Sequence, residues 1–215
     1  MKPITRISGT AAALPLPNLD TDVIIRIEHL AQCPKEQLGN WCFGPLRFLP
    51  NGAENPSFIL NQPAWRGAPI LLAGPNFGCG SSREHAVWAL QGMGIACVIA
   101  TSFGDIFYSN CFQNGLLPVV LEPDQMTTLT ERLLKAQEGL EPMSLTIDLE
   151  RQSVSTADGK DIHFAIEPRR REALMEGLDP LGTTLKHSRL IEQWQAHDRQ
   201  RRPWVWQSVG GASGT

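Results

Sequence analysis

Ala68-Pro-Ile-Leu-Leu-Ala-Gly-Pro-Asn-Phe-Gly-Cys-Gly-Ser-Ser-Arg-Glu-His-Ala86 passes from an apolar run through a glycine-rich loop into residues at helical spacing. The run closes on Gly74-Pro75 and reads as a buried strand ended by a turn. Beyond the loop, Ala86, Val87, Leu90 and Met93 mark one helix face and Gly94 its stop. In a strand-loop-helix unit, Gly78 and Gly80 leave successive backbone N–H groups free to turn inward above the positive end of the helix. Arg83, in the first helical turn, can grip a carboxylate with two parallel hydrogen bonds. The loop therefore predicts a carboxylate or phosphate site. Ser81-Ser82-Arg83-Glu84 also fits a capping box, in which a serine satisfies an orphan N–H and the glutamate reaches back to the cap, and capping is the commoner job of a serine before a helix. A phosphate-binding loop ending in Gly-Lys-Ser/Thr and a Gly-x-Ser-x-Gly nucleophile elbow are both excluded, since the chain has neither.

Downstream, Ile95 to Thr101 reads as a strand, Asp105 to Gln113 as a helix, Leu116 to Leu121 as a strand, and Met126 to Gly139 as an amphipathic helix. Alternating strands and helices favour parallel pairing. Between 144 and 166 the pattern changes. Leu145, Ile147 and Leu149 alternate with polar residues, and Ala157-Asp-Gly-Lys160 supplies a hairpin turn before Ile162, Phe164 and Ile166, so an antiparallel addition is expected. Helices are predicted from Pro168 to near Gly177 and from His187 to Arg199. The expectation is an α/β domain with mixed parallel and antiparallel strands and flanking helices. It covers residues 1–205 as one domain with a C-terminal helical extension, followed by a disordered tail at 206–215.

The chain has 215 residues, 42% hydrophobic and 19% charged, enough to bury a sizeable core. A net charge of −3 gives no broad footprint for nucleic acid. Ala11-Ala-Ala-Leu-Pro-Leu-Pro17 is too short and too broken by proline for a signal core or a membrane span, and a cytoplasmic protein is expected. The five cysteines, at 33, 42, 79, 97 and 111, form no C-x-x-C pair and no complete disulfide set. The closely spaced thiolates of an iron–sulfur site are missing too.

Several other features weigh toward ordinary structural roles. Residues 39–63 show little periodic order. Trp41, Phe43, Phe48 and Trp65 in and beside that segment either pack locally or cover a partner surface, with packing favoured. Asp20 and Asp22 share a side of an extended chain but supply too few oxygens for a hard cation. Arg169-Arg-Arg171 and Arg199-Gln-Arg-Arg202 read as solvated charge, and the five histidines have no metal-ligand spacing.

Asn76 to Ala86, together with Asn18-Leu-Asp-Thr-Asp22, Ile99 to Asn110, Asn114-Gly-Leu-Leu-Pro118 and Gly177-Leu-Asp-Pro-Leu-Gly182, closely resembles the small subunits of the 3-isopropylmalate dehydratase family. These correspond to the swivelling fourth domain of aconitase. The resemblance runs from about residue 4 to about residue 195 and implies a swivelling β/β/α fold. It also implies a hydro-lyase active only with a large subunit, as a heterodimer or higher assembly, on a 2-substituted malate. This chain would bind no cofactor or metal, and the [4Fe–4S] cluster would belong to the large subunit.

By the same resemblance, Ser81 is the catalytic base, while Ser82, Arg83, Gly80 and Cys79 bind substrate and Asp22 and His85 orient the site. Proton abstraction next to a carboxylate builds negative charge that must be stabilised as it develops. A serine alkoxide would need the loop N–H groups, the helix terminus and Arg83 to be accessible at neutral pH. The resemblance places Arg26, His29, Leu30 and Ala31 beside the variable end of the substrate. Arg26 stands where many relatives have proline. An inward Arg26 or His29 would suit a polar substituent better than an isopropyl group, whereas an outward Arg26, in solvent or paired with Glu28 or a partner acid, leaves the pocket apolar. Two classes of function follow. One is a dehydratase subunit of leucine biosynthesis or of a paralogous methylmalate-type or tricarboxylic hydro-lyase. The other is a non-catalytic carboxylate-binding module. The intact Ser81-Ser82-Arg83 run favours the enzyme.

Overall fold

A computed structural model of the chain describes residues 1–80 and 83–206. They fall into two compact units, residues 1–178 and the residues from 179 onward. In the first unit β1 (Arg6–Leu14) is followed by three short helices, α1 (Thr21–Ile24), α2 (Ile27–Gln32) and α3 (Gly44–Arg47). Then come β2 (Ile70–Ala73), α4 (Glu84–Gly92), β3 (Cys97–Ala100), α5 (Asp105–Asn114), β4 (Leu117–Val120) and α6 (Pro123–Glu138). The unit closes with β5 (Ser144–Asp148), β6 (Ser153–Thr156), β7 (Asp161–His163) and α7 (Pro168–Glu176).

The strands form one seven-stranded sheet in the order β4-β3-β2-β1-β5-β6-β7. β1 to β4 pair in parallel, and β5 to β7 continue antiparallel from the other edge of β1. The mixed α/β architecture is thus the one expected. Pro118, which cannot donate to a ladder, is accommodated because β4 is an edge strand.

β1 was not anticipated as a strand, yet it is where the parallel and antiparallel halves meet. Alanine has little intrinsic preference for strands, so Ala11, Ala12 and Ala13 carry no local signal. Their small side chains are 0–3% exposed, where both faces of the sheet are covered. The antiparallel part also differs in count. The turn at 157–160 does join two strands, but β6 is inserted between the two expected ones by a further reversal at 149–152, where Gln152 has φ 52°. Ser153-Val-Ser-Thr156 is too short and polar to announce itself as a strand.

Alternate residues of each parallel strand enter opposite cores, as the two-residue period of a strand requires. Ala12, Leu71, Ala73, Val98 and Ala100 face one cluster, which includes α4 through Ala86, Val87, Ala89 and Leu90. Ile70, Leu72, Cys97 and Ile99 face the other, which includes Met126, Leu129 and Leu133 of α6 and Leu174 of α7. α6 starts at Pro123, three residues before the expected Met126. Glu122 and Gln125 form a capping box there, and Pro123 suits a position whose N–H is unused.

Residues 39–63, irregular in sequence, are packed and tied in place. Phe43 and Trp65 are fully buried, Phe48 is half-buried, and only Trp41 of the four aromatics is exposed. Arg47 donates to Asn61 Oδ1 (3.2 Å) and the Gly39 carbonyl (3.1 Å), and Asn61 returns bonds to the carbonyls of Arg47 and Asn55. Gly39 meets the backbone of Gly92 at the end of α4 so closely that a Cβ on Gly39 would overlap it. Gly39→Ala is therefore expected to cost about 1–3 kcal/mol, read as a lower urea midpoint. An unchanged midpoint would mean that the segment relaxes freely away from α4.

In the second unit α8 (Pro180–Leu185), also unanticipated, is capped by Asp179, whose side chain accepts from Gly182 N–H at 2.6 Å. α9 (Ser188–Arg201) follows close to its expected limits. Its buried Asp198 accepts from Arg202 Nε (2.7 Å) and from the indole N–H of Trp206 (2.9 Å), and these bonds lower its pKa. Trp206, which the expected tail included, is thus anchored within this unit, and residues 207–215 lie outside the described residues. Among the described residues no helix is long and apolar enough to cross a membrane.

Candidate active site

The loops leaving the carboxyl ends of β1, β2 and β3 are laced to one another. From the β1 side, Asn18 N–H donates to the Pro75 carbonyl (2.9 Å), Gly78 N–H to the Leu19 carbonyl (2.7 Å), and Thr21 N–H to the Cys79 carbonyl (3.0 Å). From the β3 side, Phe77 N–H donates to the Ser102 carbonyl (3.1 Å) and Gly104 N–H to the Phe77 carbonyl (2.9 Å). The Asn76 side chain donates to Asn18 Oδ1, and its N–H donates to Ser102 Oγ, both at 2.8 Å. The middle loop is therefore held like a short continuation of the parallel sheet, at the strand ends where α/β sheets place their ligands.

One part of the expectation for this loop is corrected. The Gly78 N–H does not turn inward to an anion, because it is spent on Leu19. Gly78 is required for a different reason: its φ is 71°, and a Cβ there would overlap the Phe107 ring. Phe77 is fully buried and meets Phe103 and Phe107 edge-on, at 6.4 and 5.5 Å between ring centres. Cys79 and Gly80 (φ 90°) continue the loop. With Gly78, Gly104, Asp105, Ile106 and Phe107 they line a cleft of about 280 Å³ at the start of α5.

Arg83 immediately precedes α4 as its N-cap residue, with extended backbone and no side-chain capping bond. Its guanidinium Nη1 donates to Asp22 Oδ1. The Arg83 side chain is only 14% exposed and Asp22 is 54% exposed, so the pair sits with its carboxylate toward solvent. Asp22 is itself positioned by Asp20, which caps α1 by accepting from Val23 N–H at 2.8 Å. The capping-box reading of Ser81 to Glu84 is not met. Glu84 is the first helical residue rather than the third, and its carboxylate accepts from Asn114 Nδ2 at 2.8 Å. Ser81 and Ser82, the expected base and its neighbour, lie outside the described residues. His85 is half-buried with its ring 4.7 Å from that of Trp88, as a packing residue would be.

The expected specificity segment lies on α2. Arg26 is exposed, at the N-cap of α2 with no side-chain capping bond, and so does not enter an apolar pocket of this chain. His29 stacks on Trp41 at 4.3 Å and 11°, Leu30 packs against the core, and Ala31 is exposed. The described residues contain no group of three or more His, Cys, Asp or Glu side chains able to hold a metal ion. Cys42, Cys97 and Cys111 are fully buried, and burial pushes their thiols up in pKa, away from the thiolate a cluster needs. Cys33 and Cys79 are half-buried and free.

The aconitase C-terminal domain family model matches residues 1–124, over half of the chain, and a second model, described as LeuD_N, matches residues 131–168. The 3-isopropylmalate dehydratase small subunit of Cereibacter sphaeroides is 47% identical over 205 residues, 95% of this chain and 100% of that protein. That of Rhodospirillum centenum is 48% identical over 206 residues, 95% of this chain and 99% of that protein. A crystal structure of 3-isopropylmalate dehydratase from Methanocaldococcus jannaschii superposes with a TM-score of 0.62 at 28% identity, covering 88% of this chain and 99% of that one. Within the aconitase C-terminal-domain class, the chain belongs to the family of 3-isopropylmalate dehydratase small subunits.

Proposed function

We propose that this chain is the small subunit of a hydro-lyase that interconverts 2-isopropylmalate and 3-isopropylmalate by dehydration and rehydration in leucine biosynthesis. The observation that carries this reading is the Asp22–Arg83 pair beside the three laced loops, in a chain of this family. A guanidinium oriented by one carboxylate keeps further N–H donors for a second, and the substrate supplies such a carboxylate. Arg83 binds it, with Ser82 and the backbone around Cys79 and Gly80 holding its oxygens. Ser81 takes the proton from the carbon next to that carboxylate, and Asp22 keeps the guanidinium in plane. His85 packs against Trp88, and on the α2 segment Leu30 packs on the core while Arg26 is exposed.

The described cysteines do not fit a [4Fe–4S] cluster, since three are buried as thiols and the remaining two are too few to hold one. The cluster is assigned to a large subunit, with which this chain forms a heterodimer or higher assembly in the cytoplasm. The purified chain alone is expected to show no turnover of 3-isopropylmalate, and anaerobic mixing with a cluster-loaded large subunit should produce it. Turnover by the chain alone, with stoichiometric bound iron, would overturn the assignment.

A further inference from the structure

Arg83 is itself the N-cap residue of α4 and makes no side-chain capping bond, so a tie from elsewhere in the fold would help to fix where that helix start lies. Asn114, the last residue of α5, is placed to do so. Its Nδ2 donates to Glu84 Oε1 (2.8 Å) and to the Asn110 carbonyl (3.0 Å), and its Oδ1 accepts from the indole N–H of Trp88 at 2.7 Å. Its backbone carbonyl accepts from Gln91 Nε2 at 2.8 Å. Glu84, Trp88 and Gln91 are four and three residues apart and so form one stripe of α4. One residue thus ties that stripe to the end of α5. The chemistry is selective. Facing a carboxylate and an indole N–H at once requires a side chain that both donates and accepts, which an amide does and a carboxylate does not.

We propose that Asn114 is a positioning residue for the substrate-carboxylate site, acting through Glu84 to hold the Arg83 end of α4. The inference rests on the functional reading of Arg83 given above. Asn110 O keeps the amide oriented along α5, and Trp88 fixes which end of it faces Glu84. With Asp22 on its side chain and Asn114 behind the next residue, Arg83 is held from two directions.

The test uses the assembled two-chain enzyme, with kcat and KM measured below the melting temperature of each variant. Asn114→Asp sets two carboxylates against each other and is expected to lower kcat/KM by up to about 100-fold, the scale of a misplaced catalytic group. The swap Glu84→Gln with Asn114→Asp restores a donor facing a carboxylate and keeps the acceptor for Trp88, so most of that loss should be recovered. If Asn114→Asp does not assemble, Glu84→Ala serves, since it cuts the link while leaving the Asn114–Trp88 bond; it should lower kcat/KM in a fully assembled complex. Wild-type kinetics in a folded Asn114→Asp or Glu84→Ala complex, or a swap as impaired as the single variant, would overturn the role of Asn114. Absence of turnover in the wild-type complex would overturn the functional reading, and this inference with it.

Discussion

Arg83→Lys in the assembled enzyme is expected to raise KM for 3-isopropylmalate about tenfold or more and to lower kcat as well. Lysine keeps the charge but not the planar fork. It cannot hold Asp22 on one side and a substrate carboxylate with two parallel bonds on the other. Losing one charge-assisted bond of about 1.5–3 kcal/mol accounts for the size of the effect. Ser81→Ala should behave differently, lowering kcat by about 100-fold or more with KM little changed, as removal of a proton acceptor does. The two variants measured side by side separate binding from proton transfer. A Ser81→Ala enzyme with normal kcat would remove Ser81 from the mechanism, and normal KM for Arg83→Lys would remove the two-point grip.

Gly78→Ala is expected to be strongly damaging. Its φ of 71° lies in the left-handed region, and the new Cβ would overlap the ring of Phe107. The backbone term of about 1–2 kcal/mol and the overpacking term of about 1–3 kcal/mol act together, for a loss of about 2–5 kcal/mol. The loop cannot simply slide away, since Phe77 is fully buried and both its backbone groups are bonded to the Ser102–Gly104 segment. Urea unfolding reads the stability, and the assembled enzyme should lose turnover in parallel as Arg83 shifts. A midpoint equal to that of the wild type would show that the loop is not fixed in this way.

The sequence determined what depends on near neighbours. Hydrophobic runs at 70–73, 97–100 and 117–120 lie on strands buried at nearly every position, and such strands read as continuous apolar stretches. Periodicity and glycine stops located α4, α5, α6 and α7 because caps and helix faces are local properties. The Gly78 to Arg83 run marked the candidate site for the same reason: it is contiguous. The resemblance added the family, but the pairing of Arg83 with Asp22, 61 residues earlier, follows only from the meeting of two loops.

Only the tertiary structure decided the rest. β1 is a strand because both its neighbours and both cores accept its alanines, none of which is visible in Ala11-Ala-Ala13 itself. β6 exists because β5 and β7 are each there to pair with it. Residues 39–63 are ordered through side-chain bonds such as Arg47 to Asn61, which no periodicity encodes. Gly78 proved necessary for a ring 29 positions away rather than for an inward N–H, and Glu84 turned from an expected cap to Asn114, 30 positions away. Local spacing fixes which residues can share a face or a turn. Which distant groups satisfy their hydrogen bonds is fixed only when the chain closes on itself, because a buried donor takes whatever acceptor the fold brings within reach.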